Sequence, residues 1–555
     1  MIRLIFLQFI TIALIYGNAL TSQQSFSALF DTETRTHATP HITNLIRNGP
    51  GQFTADERGQ LEKLGLVVNG LEFLVERPEG LDETHATEHF LLHYTLDDSY
   101  NKVENEDYVL NMAAVFEHVW NFFADSLGFD QPPTDNGIGG SDLYDIYIMD
   151  LPAGYFGITY TSNAPAEDPA CASFIKMRNS YDSSVFSDHT ELENIQVTAV
   201  HEFFHALQFG YNCYERLWFM EATAVWSEDD LYDQVNDLYR YMPAWFANTD
   251  KPLDVEDTHM YGSFIFFQYV DEHLGGRETI KKCWERSRAN ASPAQDVSFI
   301  SIDEALVSQN SSFVDAYNRM RIANRILSSS PSAGIYRYEE AEDYPVEQPG
   351  TKEYIIYNQS DSETITSPTL KLYASHYYEL NTSTPVSISL TNDTGPITDL
   401  SLTTIIKHEN EQQWTVRMEN PTNYDPSLGI DYVALVISAV NDEVQNWDYT
   451  LSLRDGYLED FTLFPPYPNP GIGIDKIHLE LQVIAPQIVE IEIYNILGHN
   501  IWSLKKDFPE PEVVSITWNG KNNNGGQAAN GVYLIQATGR SNRFLHKVTY
   551  LKKSD

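Results

Sequence analysis

Cysteine is scarce in this chain: Cys171, Cys213 and Cys283 are the full complement in 555 residues. Three thiols make no disulfide framework, although an export compartment would permit one bridge, and they lack the paired spacing of a structural zinc site. They are expected to serve as packing residues. Basic charge is short as well: Lys and Arg number 35 against 79 Asp and Glu, for a formal net charge of −44. That balance argues against a nucleic-acid partner, whose phosphates it would repel. It suits an exported soluble protein and makes calcium a candidate bound ion. Beyond the N-terminus no apolar run is long enough to cross a bilayer, so no transmembrane segment is expected in the mature chain. The one long apolar run, residues 4–16, follows Met1-Ile2-Arg3 and precedes Gly17-Asn18-Ala19. A basic start, an apolar stretch too short to span comfortably and small residues for cleavage read as an export signal over 1–19, with an N-terminal membrane anchor as the rival reading.

What is present is enough apolar and aromatic content, 42% and 13%, for several cores, and one constellation that carries chemistry. Val200-His201-Glu202-Phe203-Phe204-His205-Ala206 places two histidines four apart with a glutamate after the first. On a helix those imidazoles share a face and reach one metal ion, while Glu202 stands close enough to hold a water on that metal. This is the zinc-protease pattern of two ligands and a general base. The flanks predict a helix that starts near Glu191 and ends at Gly210. A three-ligand zinc site needs one more donor. Trp218-Phe219-Met220-Glu221-Ala222-Thr223-Ala224-Val225-Trp226 offers Glu221 on a second helical run that can return antiparallel beside the first. Glu228, two turns on, is the rival third ligand. Glu221 is preferred because aromatic and small residues surround it, whereas Glu228 opens an acidic run with Asp229 and Asp230.

Residues 20–88 show a capped helix start at Phe53-Thr54-Ala55-Asp56-Glu57 but no strong core, and read as a propeptide or an N-terminal extension packed on the catalytic unit. From 89 to 330 the pattern is that of an α+β zincin-like catalytic domain. Strands are predicted at 89–95, 143–149, 154–160 and 172–177, an amphipathic helix at 108–127, and mostly helices after the motif, including 261–273 and one long helix over 301–327. His93 reads as a strand histidine rather than a ligand. The sheet edge, at 158–161 or 174–177, would hold an extended peptide by strand addition. Asp135, Asp142 and Asp145 around Gly137, Gly139 and Gly140 read either as a calcium loop or as an acidic surface turn. In the chemistry this layout suggests, Glu202 takes a proton from a zinc-activated water and passes it to the leaving amine. Tyr261 or His259 would donate to the developing oxyanion, with a plain helix-start aromatic as the rival reading of Tyr261; Asp254 and Asp257 read as solvated loop carboxylates, with orientation of the ligand histidines as the alternative.

The texture changes at a linker over 328–334. Short alternating strands then suggest a β-sandwich at 336–455, and a last all-β unit follows at 463–555. The whole is therefore expected to be multidomain: an α+β zincin-like domain followed by two sandwich or immunoglobulin-like domains.

Two resemblances add to this reading. His201-Glu202-Phe203-Phe204-His205-Ala206-Leu207-Gln208 with Trp218 to Trp226, Tyr144-Asp145-Ile146-Tyr147-Ile148 and Tyr261-Gly262-Ser263-Phe264 resembles a family of secreted bacterial metalloproteases of the gluzincin type, over roughly 89–327. The resemblance implies His201, His205 and Glu221 as zinc ligands and Glu202 as base. Glu221-Ala222-Thr223-Ala224 stands where that family has Glu-Gly-x-Ala. The C-terminal unit resembles the sorting domains of the type IX secretion system and the immunoglobulin-like domain of flagellar hook-capping proteins. The residues that carry this are Tyr467-Pro468-Asn469-Pro470, Tyr494-Asn495-Ile496-Leu497-Gly498, Trp518-Asn519-Gly520 and Asn530-Gly531-Val532-Tyr533. It implies an outer-membrane secretion machinery as partner, then release or attachment at the bacterial cell surface. Two function classes follow. One is a secreted zinc endopeptidase acting on extracellular protein or peptide substrates. The other is a surface binding or adhesion protein whose zincin domain is catalytically idle. Glu202 favours the first, since an idle site has no use for the base.

Overall fold

A computed structural model describes residues 20–552, apart from 31–36, 52, 98, 153, 162–167, 351–352, 358–362, 367–368, 409–413, 425, 427–429, 440–445, 456–460, 464–465, 467–468, 470, 473–475, 484–485, 511 and 541. The export signal at 1–19 and most of Tyr467-Pro468-Asn469-Pro470 lie outside the described residues.

The N-terminal segment folds into α1 (Ser22–Leu29), α2 (Thr39–Asn48), α3 (Ala55–Lys63) and a hairpin of β1 (Leu66–Asn69) and β2 (Glu72–Val75). The sheet that carries the site follows: β3 (Glu83–Ala86), β4 (Phe90–Tyr94), β5 (Tyr144–Met149), β6 (Gly157–Thr161) and β7 (Ser173–Arg178), in the order β3-β4-β5-β7-β6. β4, β5 and β7 are parallel neighbours, and β6 closes one edge antiparallel to β7. Alternate residues of a strand point to opposite faces, and here both faces are covered. Ile146, Ile148, Ile175 and Met177 join a core shared with the helices. Tyr147, Phe174, Ile158 and Tyr160 join a second core with Ile42, Leu45, Leu61, Leu64 and Phe73 of the N-terminal segment. That corrects the expectation of no strong core in 20–88. The apolar residues of these short elements pack both on one another, as Phe53 does on Phe26 and Phe73, and on the sheet.

The helices are α4 (Glu106–Trp120), continued by a π-helical turn at Asn121–Ser126, then the motif helix α5 (Glu191–Tyr211) and α6 (Leu217–Tyr232). Behind them come α7 (Met242–Ala247), α8 (His259–Gly262), α9 (Phe264–His273), α10 (Arg277–Asn290), α11 (Ser298–Leu306) and α12 (Phe313–Ile326). α5 starts on a capping box, with the Thr190 hydroxyl accepting from the Glu193 amide and the Glu193 carboxylate returning to Thr190. It runs through Gly210 rather than stopping there. Gly210 instead admits Pro133, whose Cδ would lie 3.2 Å from an added Cβ. The long helix expected over 301–327 is two helices, because Asn310 adopts a left-handed conformation (φ 53°) and Ser312 caps α12. Two of the expected packing cysteines are corrected: Cys171 and Cys213 form a disulfide across 42 residues, with Cα atoms 5.9 Å apart, whereas Cys283 is a buried thiol as expected.

C-terminal to this region the chain is β-sheet. Between residues 353 and 455 lie a five-stranded and a four-stranded sheet. Their core is continuous with the helical region, where Tyr373 packs on Phe299 and Phe313. The expected linker at 328–334 runs into two short helical turns over Pro331–Tyr336, divided by a kink at Gly334 (φ 62°), with Ala333 buried. From 461 to 551 a three-stranded and a five-stranded sheet enclose a separate core around Trp518. The chain is thus multidomain α+β. No described helix is long and apolar enough to cross a membrane.

Candidate metal centre

His201, Glu202 and His205 project from α5 and Glu221 from α6, which returns beside it after the turn 212–216. All four side chains are 0% exposed. The two Nε2 atoms stand 3.1 Å apart. Glu221 brings one carboxylate oxygen to 3.4 Å from His201 Nε2 and the other to 3.2 Å from His205 Nε2. Neither oxygen has a hydrogen-bond partner among the described residues. Burial pushes the Glu221 carboxyl up, but the His205 and His201 rings outweigh it and hold the group down at about 2. A buried carboxylate without hydrogen bonds is costly. Two imidazole nitrogens and one carboxylate facing a common point are the donor set of a three-ligand zinc site, so these residues fit that ion.

The far side of each ring is fixed. His201 Nδ1 lies 2.6 Å from Glu228 Oε1, and His205 Nδ1 lies 2.7 Å from Gln208 Oε1. Gln208 is oriented in turn, its amide donating to the Met220 carbonyl at 2.9 Å and to Thr223 Oγ1 at 3.0 Å. With Nδ1–H donating outward, each Nε2 lone pair faces the shared point. Glu228, the rival third ligand, is therefore the carboxylate that orients His201. Asp257 is a partly exposed loop carboxylate paired with Lys251 at 2.8 Å, and Asp254 lies among the carboxylates around Arg216. Replacing Glu228 by Ala is expected to weaken zinc binding by about 10–100-fold, read by competition with a chromophoric chelator.

Glu202 points to the sheet side. Its Oε2 accepts from Thr159 Oγ1 at 2.6 Å and from Thr39 Oγ1 at 2.8 Å, while Oε1 has no partner among the described residues. Gly157 makes room for it: a Cβ there would lie 2.8 Å from Glu202 Cγ and 2.8 Å from Thr198 Cγ2. Both neighbours are buried on a helix and have little freedom to move. Gly157→Ala is expected to cost about 1–3 kcal/mol by overpacking, read by urea unfolding, and to displace Glu202 while leaving His201, His205 and Glu221 in place.

Tyr261 lies in the wall of the site, one ring removed from the ligands. Its ring stacks on Tyr241 at 5.0 Å and lies 5.3 Å from that of His37, which is itself 3.9 Å from His201. His259 stacks on Trp245. Sequence reasoning missed His37, Thr39, Arg240 and Tyr241, which fold in from distant stretches without a spacing signal. Gln208 was within reach of it, three residues after His205 and so on the same helical face.

The suggested calcium loop is differently built. Arg77 lies 2.5 Å from both Asp135 and Asp145, and His93 Nε2 is 2.8 Å from the other oxygen of Asp145. A guanidinium thus occupies the place expected of a cation, and His93 serves as the strand histidine it was read to be. A cleft of about 480 Å³ opens beside these residues, lined also by His89, Trp120 and Tyr144.

Fold and site together define a buried two-histidine, one-carboxylate centre able to hold a metal, on the helical side of a mixed sheet. Residues 85–304, which contain that sheet and both site helices, match a family model described as "Family of unknown function (DUF6055)". No curated protein matches the chain. Among solved structures it is similar to dimeric latent PorU from Porphyromonas gingivalis (14% identity, TM-score 0.18, 31% of this chain and 18% of that one). It is similar also to the sensor domain of the anti-sigma factor RsgI4 in Pseudobacteroides cellulosolvens (14%, TM-score 0.13, 17% and 91%). A third is Bacteroides uniformis beta-glucuronidase 2 (10%, TM-score 0.17, 29% and 26%). The chain spans less than a fifth of the PorU structure, and at these scores none of the three bears on the site.

Proposed function

We propose that the chain is a secreted zinc-dependent endopeptidase of the zincin type, exported by the signal at 1–19 and a C-terminal sorting domain. The observation that carries this is the convergence of His201 Nε2, His205 Nε2 and the Glu221 carboxylate, with Glu202 on the same helix one residue from a ligand. Bound there, zinc supplies Lewis acidity to a peptide carbonyl and brings the pKa of water near neutrality. The rest is the work of the chain. Glu202 holds and moves the proton, from the attacking water to the leaving amine. Thr159 fixes the carboxylate through Oγ1. β6, as the edge strand beside Glu202, aligns the substrate main chain by strand addition. Arg240, half-buried beside the site and close to the Tyr241 hydroxyl, is a donor for developing negative charge in place of Tyr261, which is set further back.

A surface-binding protein with an idle centre is the second reading, and one observation favours it: the donors are wholly buried, and N-terminal residues stand over them. Zinc content and casein hydrolysis separate the two. Hydrolysis is read after the chain is nicked at a protease site introduced between Glu79 and Gly80, both exposed. One zinc per chain, with activity in the wild type and none in Glu202→Gln, supports the enzyme. Equal activity in both removes Glu202 from the mechanism, and zinc in neither favours the binding protein.

A further inference from the structure

The C-terminal end of α6 is acidic where a helix favours the opposite charge. Its last turns carry Glu228, Asp229 and Asp230, Asp233 follows at the C-cap, and no basic residue lies in the last turn. A helix C-terminus bears the negative end of the dipole and favours cations, and like charges four apart, as Asp229 and Asp233 are, repel. Two of these groups are compensated: Glu228 faces His201, and Asp230 pairs with Arg277 at 2.5 Å. Asp229 is not. It is 8% exposed, and its buried Oδ1 has no hydrogen-bond partner among the described residues. It faces Asp233 and Glu340, the latter in the turn that follows buried Tyr338, and one carboxylate oxygen from each of the three lies within 4.8 Å of the others. Tyr239 positions Glu340: its hydroxyl donates to Oε2 at 2.9 Å, and its ring packs edge-on against Tyr344. Burial, then Glu340, Asp233, Asp230 and Glu228, push the Asp229 carboxyl up to about 8.

We infer that Asp229, Asp233 and Glu340 hold a calcium ion, which ties the C-terminal end of α6 to the turn at 339–343. Oxygens bound to one calcium, each about 2.3–2.6 Å from it, stand no more than about 5 Å apart, and these three meet that limit. The donors are all oxygens, which selects a hard cation over zinc. Calcium takes about six to eight oxygens. The carboxylates supply part of that shell, and water completes it past Asp233, which is exposed. At Asp135 and Asp145, by comparison, Arg77 already supplies the positive charge. No ion pair joins Asp229, Asp233 or Glu340 to a basic side chain among the described residues. The ion sits on the helix that carries Glu221 and Glu228, one residue from the latter, so it braces the frame of the buried centre without touching it. The inference goes beyond the zinc reading and does not rest on it.

Terbium occupies calcium sites and emits when a nearby tyrosine is excited, and Tyr239 is placed to serve as that antenna. Titrated into the chelator-stripped full chain with zinc withheld, terbium is expected to show a saturable sensitised emission that calcium displaces. Asp233→Asn and Glu340→Gln are each expected to weaken it about tenfold or more, since each removes one charged ligand. Calcium is expected to raise the Tm of the wild type and to leave that of Asp233→Asn unmoved. Without calcium the variant should melt at or above the wild type, because a repulsion has been removed. No rise in the wild-type Tm with calcium, or a rise of equal size in both proteins, overturns the proposal, as does terbium affinity unchanged by both substitutions. Each of these outcomes leaves the zinc reading standing, and a failure of zinc to bind leaves this one standing. Asp233 is exposed, so its replacement keeps the fold, and the wild-type shift needs no variant.

Discussion

Glu202→Gln is expected to abolish peptide hydrolysis by the opened chain, with a loss of roughly 10³-fold or more, while leaving zinc content at one ion per chain. The reason is the division of labour on α5. His201 and His205 turn their Nε2 atoms toward Glu221, whereas Glu202 points to the sheet and bonds to Thr159 and Thr39. Gln keeps the shape and can still meet both threonine hydroxyls, so the fold and the donors should persist. What it cannot do is accept a proton, a function worth about 10²–10⁴ in rate. The measurement is initial rate on a quenched-fluorescence casein, with zinc determined on the same samples by mass spectrometry. A variant that lost zinc together with activity would show Glu202 to be a structural support of the centre instead.

Glu221→Ala is expected to have the opposite signature: loss of stoichiometric zinc, and loss of stability that chelators no longer modulate. Among the described residues its carboxylate is the only one within 3.4 Å of both Nε2 atoms, and it stands among fully buried groups. Removing one partner of a buried charged cluster costs about 3–5 kcal/mol, since the remaining groups are left uncompensated. Zinc held by the folded wild type alone would make a zinc-selective chelator lower its Tm. In Glu221→Ala the melting curve should already be lowered and should not move when chelator is added. A melting temperature that falls equally in both proteins on chelation would place the ion elsewhere.

The parts of this site that follow helical periodicity were legible in the sequence. His201 and His205 lie four apart, Glu221 leads a second helix, and Glu228 is two turns further on. These are statements about one helix face, which local chemistry fixes. Even so, spacing alone did not divide the two glutamates, because both are on that face. The division came from depth along the axis, with Glu221 level with the Nε2 atoms and Glu228 behind His201 at Nδ1. The strands of the sheet were legible for the same reason of period, although their burial on both faces blurred the alternation. What the sequence did not yield was contact across distance. Thr39 and Glu202 are separated by 163 positions, Cys171 and Cys213 by 42, and Arg77 reaches Asp145 across 68. Each is set by tertiary arrangement rather than by local periodicity, and none leaves a mark on its own neighbourhood.

The claim on which the rest stands is that His201, His205 and Glu221 hold one ion in common. Calorimetric titration of zinc into the chelator-stripped chain tests it most directly. The account predicts a single site, one zinc per chain, that disappears in His205→Ala. A chain that takes up no zinc, or a His205→Ala variant that binds it with undiminished stoichiometry and affinity, would contradict it.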